Sequence, residues 1–150
     1  MYVGHINLAK SCNGWGEHFV GLVEALDDQG VSQHVIVRSS ALAKRLDLVE
    51  NVTVGPTVRS AVMAYCLMPG VDVAHIHDPA DGQAGLLLAL TRSIPFVLTR
   101  RGRSPGRNPL AQAMYRRAAG FVYLGDADVE KHLRIYRRAM SAWRTGAVSL

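Results

Sequence analysis

The chain has few cysteines, no long apolar run and neither of the common phosphate-loop fingerprints. Cys12 and Cys66 are its two cysteines. They form no Cys-x-x-Cys pair and no dense framework, so no disulfide scaffold is expected and both read as free thiols. No apolar stretch approaches the ~20 residues needed to cross a bilayer. The opening from Met1 to Leu8 has no basic n-region and no small-residue cleavage site. A secretory leader is therefore not expected, and a cytoplasmic setting is. Gly14 and Gly16 resemble the start of a G-x-G-x-x-G loop, but Phe19 stands where the third glycine would fall. No Lys-Ser/Thr pair follows them, so a Walker A loop is also missing. Basic and aromatic residues do not interleave as in RNA-binding modules, and nucleic acid is not expected as a partner.

What remains is an ordinary globular composition. The 150 residues are 49% hydrophobic and 19% charged, which suits one domain with a real core and argues against disorder. Lysine and arginine outnumber the acids 17 to 12, for a net charge of +5. The excess lies in the second half, at Arg100, Arg101, Arg103, Arg107, Arg116, Arg117, Arg134, Arg137, Arg138 and Arg144. Such a surface attracts phosphates, in lipid head groups or in an anionic substrate.

Strand and helix patterns alternate along the chain. Strands are expected at Tyr2 to Ala9, His34 to Arg38, Val52 to Val54, Val71 to His77, Pro95 to Thr99 and Gly120 to Leu124. Ala147 to Leu150 reads as the start of another. Helical spacing of Phe19, Leu22, Val23 and Leu26 predicts a helix stopped by Gly30. A short helix follows over Ala41 to Leu48, then one around Val58, Val62 and Tyr65 that ends at Pro69-Gly70. Asp78-Pro79 and Asn108-Pro109 each read as a cap followed by proline at the first helical position. The helices they open run to about Arg92 and Ala119. Asp126 is expected to cap a last helix with a stripe of Val129, Leu133, Tyr136, Met140 and Trp143. Its other side carries Lys131, Arg134, Arg137 and Arg138, which fits a membrane surface as well as solvent. The pattern predicts one α/β domain over residues 1–150: a single doubly wound, Rossmann-like parallel sheet.

In such a sheet ligands bind beyond the carboxyl ends of the strands. Three strand-end loops therefore hold the candidates. The first carries Asn13, Gly14, Gly16 and Glu17, where glycines permit close backbone approach to a substrate. The second is His75-Ile76-His77-Asp78. His77 and Asp78 lie nearest the ligand end, and a neutral His77 suits a sugar hydroxyl or a proton transfer. His75, deeper in the strand, reads as a core histidine. The two share a face, but no further histidine, cysteine or carboxylate cluster completes a metal site, so no metal is expected. The third loop presents Arg100 and Arg101, whose paired N–H donors suit phosphate or carboxylate.

The ordered segments resemble the opening half of family 4 glycosyltransferases. "HINLAK" followed by "NGWGEHFVGLVEAL" is similar to their first strand, Gly-Gly-x-Glu loop and first helix. "DVAHIHD" and "IPFVLTRRG" resemble their fourth and fifth strand segments, and "MYRRAAGFVYLGDADVEKHLR" a later helix-strand-helix segment. The nearest likeness is to bacterial enzymes of lipopolysaccharide or other surface polysaccharide biosynthesis. The resemblance implies the N-terminal, acceptor-side domain of a retaining, metal-independent GT-B enzyme. By position it places Gly14, Gly16 and Glu17 in the loop that approaches the donor phosphates and the transferred sugar; joined with the strand-end reading, the expected catalytic residues are His77, Asp78 and Arg100, and the expected substrate-binding residues Asn13, Gly14, Gly16, Glu17 and Arg101. Trp15 splits the glycine pair, and Arg100 falls near where many members carry a histidine. The family's donor domain, with its two spaced glutamates, does not occur in these 150 residues. The chain alone would then hold no cofactor and be inactive, the nucleotide-sugar donor going with the other domain. Its implied partners are a glycan or glycolipid acceptor, the inner membrane face, and a donor-domain partner or a second copy of itself. A stand-alone Rossmann-like binding or regulatory module without catalysis is the competing expectation.

Overall fold

A computed structural model describes residues 1–10, 14–100 and 108–148. Six strands alternate with helices: β1 (Tyr2–Asn7), α1 (Gly14–Asp27), β2 (Ser32–Val37), α2 (Ser40–Leu46), β3 (Val52–Val54), α3 (Ala61–Leu67), β4 (Val73–Ile76), α4 (Gly82–Arg92), β5 (Phe96–Arg100), α5 (Pro109–Arg117), β6 (Gly120–Tyr123) and α6 (Val129–Arg144). All strand pairs are parallel, in the order β3-β2-β1-β4-β5-β6. This is the doubly wound Rossmann-like sheet, with strand order reversing between β1 and β4.

The element boundaries follow local chemistry. Ser39 caps α2 by accepting from Leu42 N, and Ser60 caps α3 by accepting from Met63 N. Asn108 accepts from Leu110 N and Ala111 N, with Pro109 opening α5 as expected. Asp78 accepts from Ala80 N and caps a single 3-10 turn, Pro79–Asp81, which leads into α4. The last helix differs from expectation: Asp128, not Asp126, accepts from Lys131 N and caps α6. Asp126 instead pairs with Lys131. The segment at Ala147 and Val148 is bent rather than extended; residues 149–150 lie outside the description.

Strand alternation divides the sheet into two unlike faces. Ile6, Ala74, Ile76, Phe96 and Leu98 pack with Ala64, Met68, Ala84 and Leu88 from α3 and α4. Val3, Val73 and Val97 pack on the other side with Leu22 and Leu26 of α1 and Leu133, Tyr136 and Ala139 of α6. Gly85 lets α4 sit close: a Cβ there would lie 2.6 Å from Phe96 Cδ2. Among the described residues no helix is long and apolar enough to cross a membrane.

Candidate functional site

The ends of β1 and β4 part at the reversal of strand order, and their following loops are tied together. Leu8 N, just past β1, donates to Asp81 Oδ2 beyond β4 at 3.1 Å. Next to this tie lies a shallow crevice open to solvent. Asn7, His75, His77 and Thr99 line it from the strands, and Trp15, His18, Phe19 and Leu22 from α1. Tyr123, Gly125 and Asp126 close it from the β6 end, with His132 from α6.

Beneath the crevice a histidine cluster occupies the α1/α6 face. His5 and His75 are register partners on β1 and β4. His77 follows on the same side, its ring 3.9 Å from that of His75 between centroids. His5 Nδ1 and His77 Nε2 share a hydrogen bond of 3.0 Å. His75 is wholly buried, with Nδ1 bonded to Tyr136 Oη at 2.7 Å and Nε2 to Thr99 Oγ1 at 2.8 Å. It is the satisfied core histidine that its depth in the strand implies. His132 Nδ1–H donates to the Asp128 carbonyl at 2.8 Å.

Burial sets the charge state of this cluster. Loss of water pushes His5 down to about 3, with repulsion from His132 adding to the effect. His75 is held well below its ordinary value by burial and by the His77, His5 and His132 imidazoles around it. Both are neutral at pH 7. Burial raises the Tyr136 phenol above its usual range, so its hydroxyl keeps its proton. Lys131 holds the Asp126 carboxyl below its ordinary value.

The residues singled out from sequence fall in different places. His77 lines the crevice. Asp78 stands at the next turn, engaged as a cap. Gly14 and Gly16 are not loop residues but form the first turn of α1, Gly16 buried and Gly14 exposed. Glu17 turns away from the crevice and bonds Arg45 of α2 at 2.7 Å. Arg100, at an even position of β5, points to the α5 side. Its guanidinium lies 5.7, 5.4 and 5.9 Å from the ring centroids of Tyr115, Phe121 and Tyr123. Thr99, at the neighbouring odd position, takes the crevice side. Asn13 and Arg101 lie outside the described residues.

Two residues of the crevice and the histidine cluster beneath it had little local signal. His5 becomes a neighbour of His75 only through strand pairing. His132 lies four residues before Tyr136, one step off the apolar stripe, and that spacing was the available clue. No known family model matches the chain, and no curated protein matches it by sequence.

Proposed function

We propose that the chain is the acceptor-side domain of a family 4-like GT-B glycosyltransferase, binding a glycan or glycolipid in the crevice beyond β1 and β4. The observation that carries this reading is the chemistry of the lining. Polar hydrogen-bonding groups (Asn7, His77, Thr99) stand with one carboxylate, Asp126, and with the ring of Trp15, which is 40% exposed at the rim. Such donors and acceptors beside an aromatic face suit a polyhydroxylated ring better than a nucleotide pyrophosphate, which would want the missing glycine fingerprint. Arg134, Arg137 and Arg138 lie exposed on the outer side of α6, a complement for anionic head groups around a lipid-linked acceptor. Donor binding and stabilisation of the leaving nucleotide are assigned to a second domain, so this chain alone transfers no sugar.

One observation favours the second reading, a binding module without catalysis. Glu17 and Arg100, two charged positions of the family pattern, face α2 and the Tyr115-Phe121-Tyr123 rings rather than the crevice. The test is titration of the purified chain with neutral and phosphorylated core oligosaccharides, and separately with UDP and GDP, read by tryptophan fluorescence. The glycosyltransferase reading expects glycan binding that perturbs Trp15 and weakens tenfold or more in His77→Ala. It also expects sugar transfer once a family 4 donor domain is supplied. Glycan binding without transfer in that assembly, or nucleotide binding with no glycan binding, selects the module, and binding of neither sinks both.

A further inference from the structure

His5, His75 and His77 each offer a ring nitrogen, and these three atoms lie within 4.8 Å of one another. The parallel pairing of β1 and β4 brings them together, since His5 and His75 are in register and His77 shares their face. We propose that these imidazoles form a binding site for a transition-metal ion of the Zn²⁺ class.

The donor set chooses the class of ion. Neutral imidazole suits zinc, copper, nickel and iron, whereas calcium and magnesium require oxygen ligands that this triad does not supply. Tetrahedral ligation at ~2.0–2.1 Å places ligand nitrogens roughly 3.3 Å apart. His5 Nδ1 and His77 Nε2 already stand 3.0 Å apart. His75 completes the set when its Nε2 exchanges Thr99 Oγ1 for the ion, while Nδ1 keeps its bond to Tyr136.

The surroundings suit ligation. Metal-bound histidines are commonly oriented by a hydrogen bond at the other ring nitrogen, and Tyr136 supplies one to His75. The Gln33 side chain lies beside His5. Neither His5 Nε2 nor Gln33 Oε1 closes a hydrogen bond among the described residues. Ligation through His5 Nδ1 puts the ring proton on Nε2, towards that unused acceptor. His75 and His77 both line the crevice, which gives the ion an entry path and leaves a fourth position for water or a ligand oxygen.

The test uses the tag-free full chain carrying Cys12→Ser and Cys66→Ser, so that thiols do not compete. After chelation and dialysis it is titrated with Zn²⁺ by calorimetry, and with Co²⁺ by absorbance. The site predicts one equivalent of Zn²⁺ retained through gel filtration, and the intense visible bands of tetrahedral Co²⁺. His77→Ala, at a half-buried position, is expected to fold and to lose at least tenfold in affinity. His18→Ala, on the crevice rim, is expected to keep it. His5→Gln adds a second triad variant, checked for folding by circular dichroism. Substoichiometric binding, weak octahedral Co²⁺ spectra, or unchanged affinity in folded His77→Ala would overturn the proposal. The measurement needs no sugar and no donor domain, so its result is independent of the glycosyltransferase reading.

Discussion

The two faces of the sheet are made from alternate residues of the same strands, and they differ in kind. Even positions of β1, β4 and β5 (Ile6, Ala74, Ile76, Phe96 and Leu98) build an apolar face against α3 and α4. Odd positions (His5, His75 and Thr99) place buried polar groups under α1 and α6. The apolar face is held by close fit, with Gly85 pressed against the Phe96 ring. The other face adds hydrogen bonds to the packing of Val3, Val73 and Val97 against α1 and α6, with Tyr136, Thr99 and His77 each bonded to an imidazole nitrogen. One strand can therefore carry packing on one side and chemistry on the other without compromising either.

Acid separates the faces most strongly. His5 and His75 have folded-state pKa values below the ordinary histidine value of 6.5, so the unfolded chain binds protons first as pH falls. Stability is full above about pH 6.5. It is expected to drop by about 1.4 kcal/mol per pH unit for each such histidine below that. For His5 the window extends down to about 3. Urea denaturation in EDTA from pH 7.5 to 4.5 checks this, and His5→Gln should lower the slope by about one proton; a flat profile would mean that the cluster is hydrated or charged.

The apolar face is broken by volume instead. Gly85→Leu would drive a side chain into Phe96 Cδ2 and Cγ at 2.6 and 2.8 Å and Ile76 Cγ1 at 3.0 Å. A loss of roughly 2–3 kcal/mol or more is expected, after allowing for the better helix propensity of leucine. Gly21→Ala is the contrast, because nothing lies within 4 Å of the added methyl on α1. It should stabilise by up to about 1 kcal/mol. Equal effects at both positions, read by thermal or urea unfolding, would show that the close approach of Phe96 to Gly85 does not limit the side chain there. The smallest loss is expected for Tyr136→Phe, which keeps the ring but strips His75 Nδ1 of its partner. It should cost about 1–2 kcal/mol in urea unfolding, and no change would mean that water replaces the hydroxyl.

Much of this architecture was legible in the sequence because periodicity reports local geometry. The six strands, their parallel winding and the cap-plus-proline signals at Asp78 and Asn108 all rest on patterns a few residues long. One error, the cap of α6, came from competition between near-equivalent local groups. Asp126 and Asp128 both suit a cap, and the nearby Lys131 takes Asp126 out of contention. The site was less legible. His75 and His77 were visible as a same-face pair, but His5 joins them through pairing across 70 positions of sequence. Likewise, the side chains of Glu17 and Arg100 are directed by Arg45 and by three aromatic rings, partners that no local spacing reveals.

The hydrogen bond from His75 to Tyr136 joins residues 61 apart in the chain, and it has a consequence for biogenesis. β1, β4 and β5 emerge from the ribosome and can pair before α6 exists. Until that helix is released, this sheet face has α1 but not α6 to cover it, and His75 lacks its Tyr136 partner. The nascent chain thus passes through a stage in which its packing is largely made while its polar centre is still unformed. A chain stalled between β6 and α6 would be a partly folded species displaying that histidine-bearing face to the cell's chaperones.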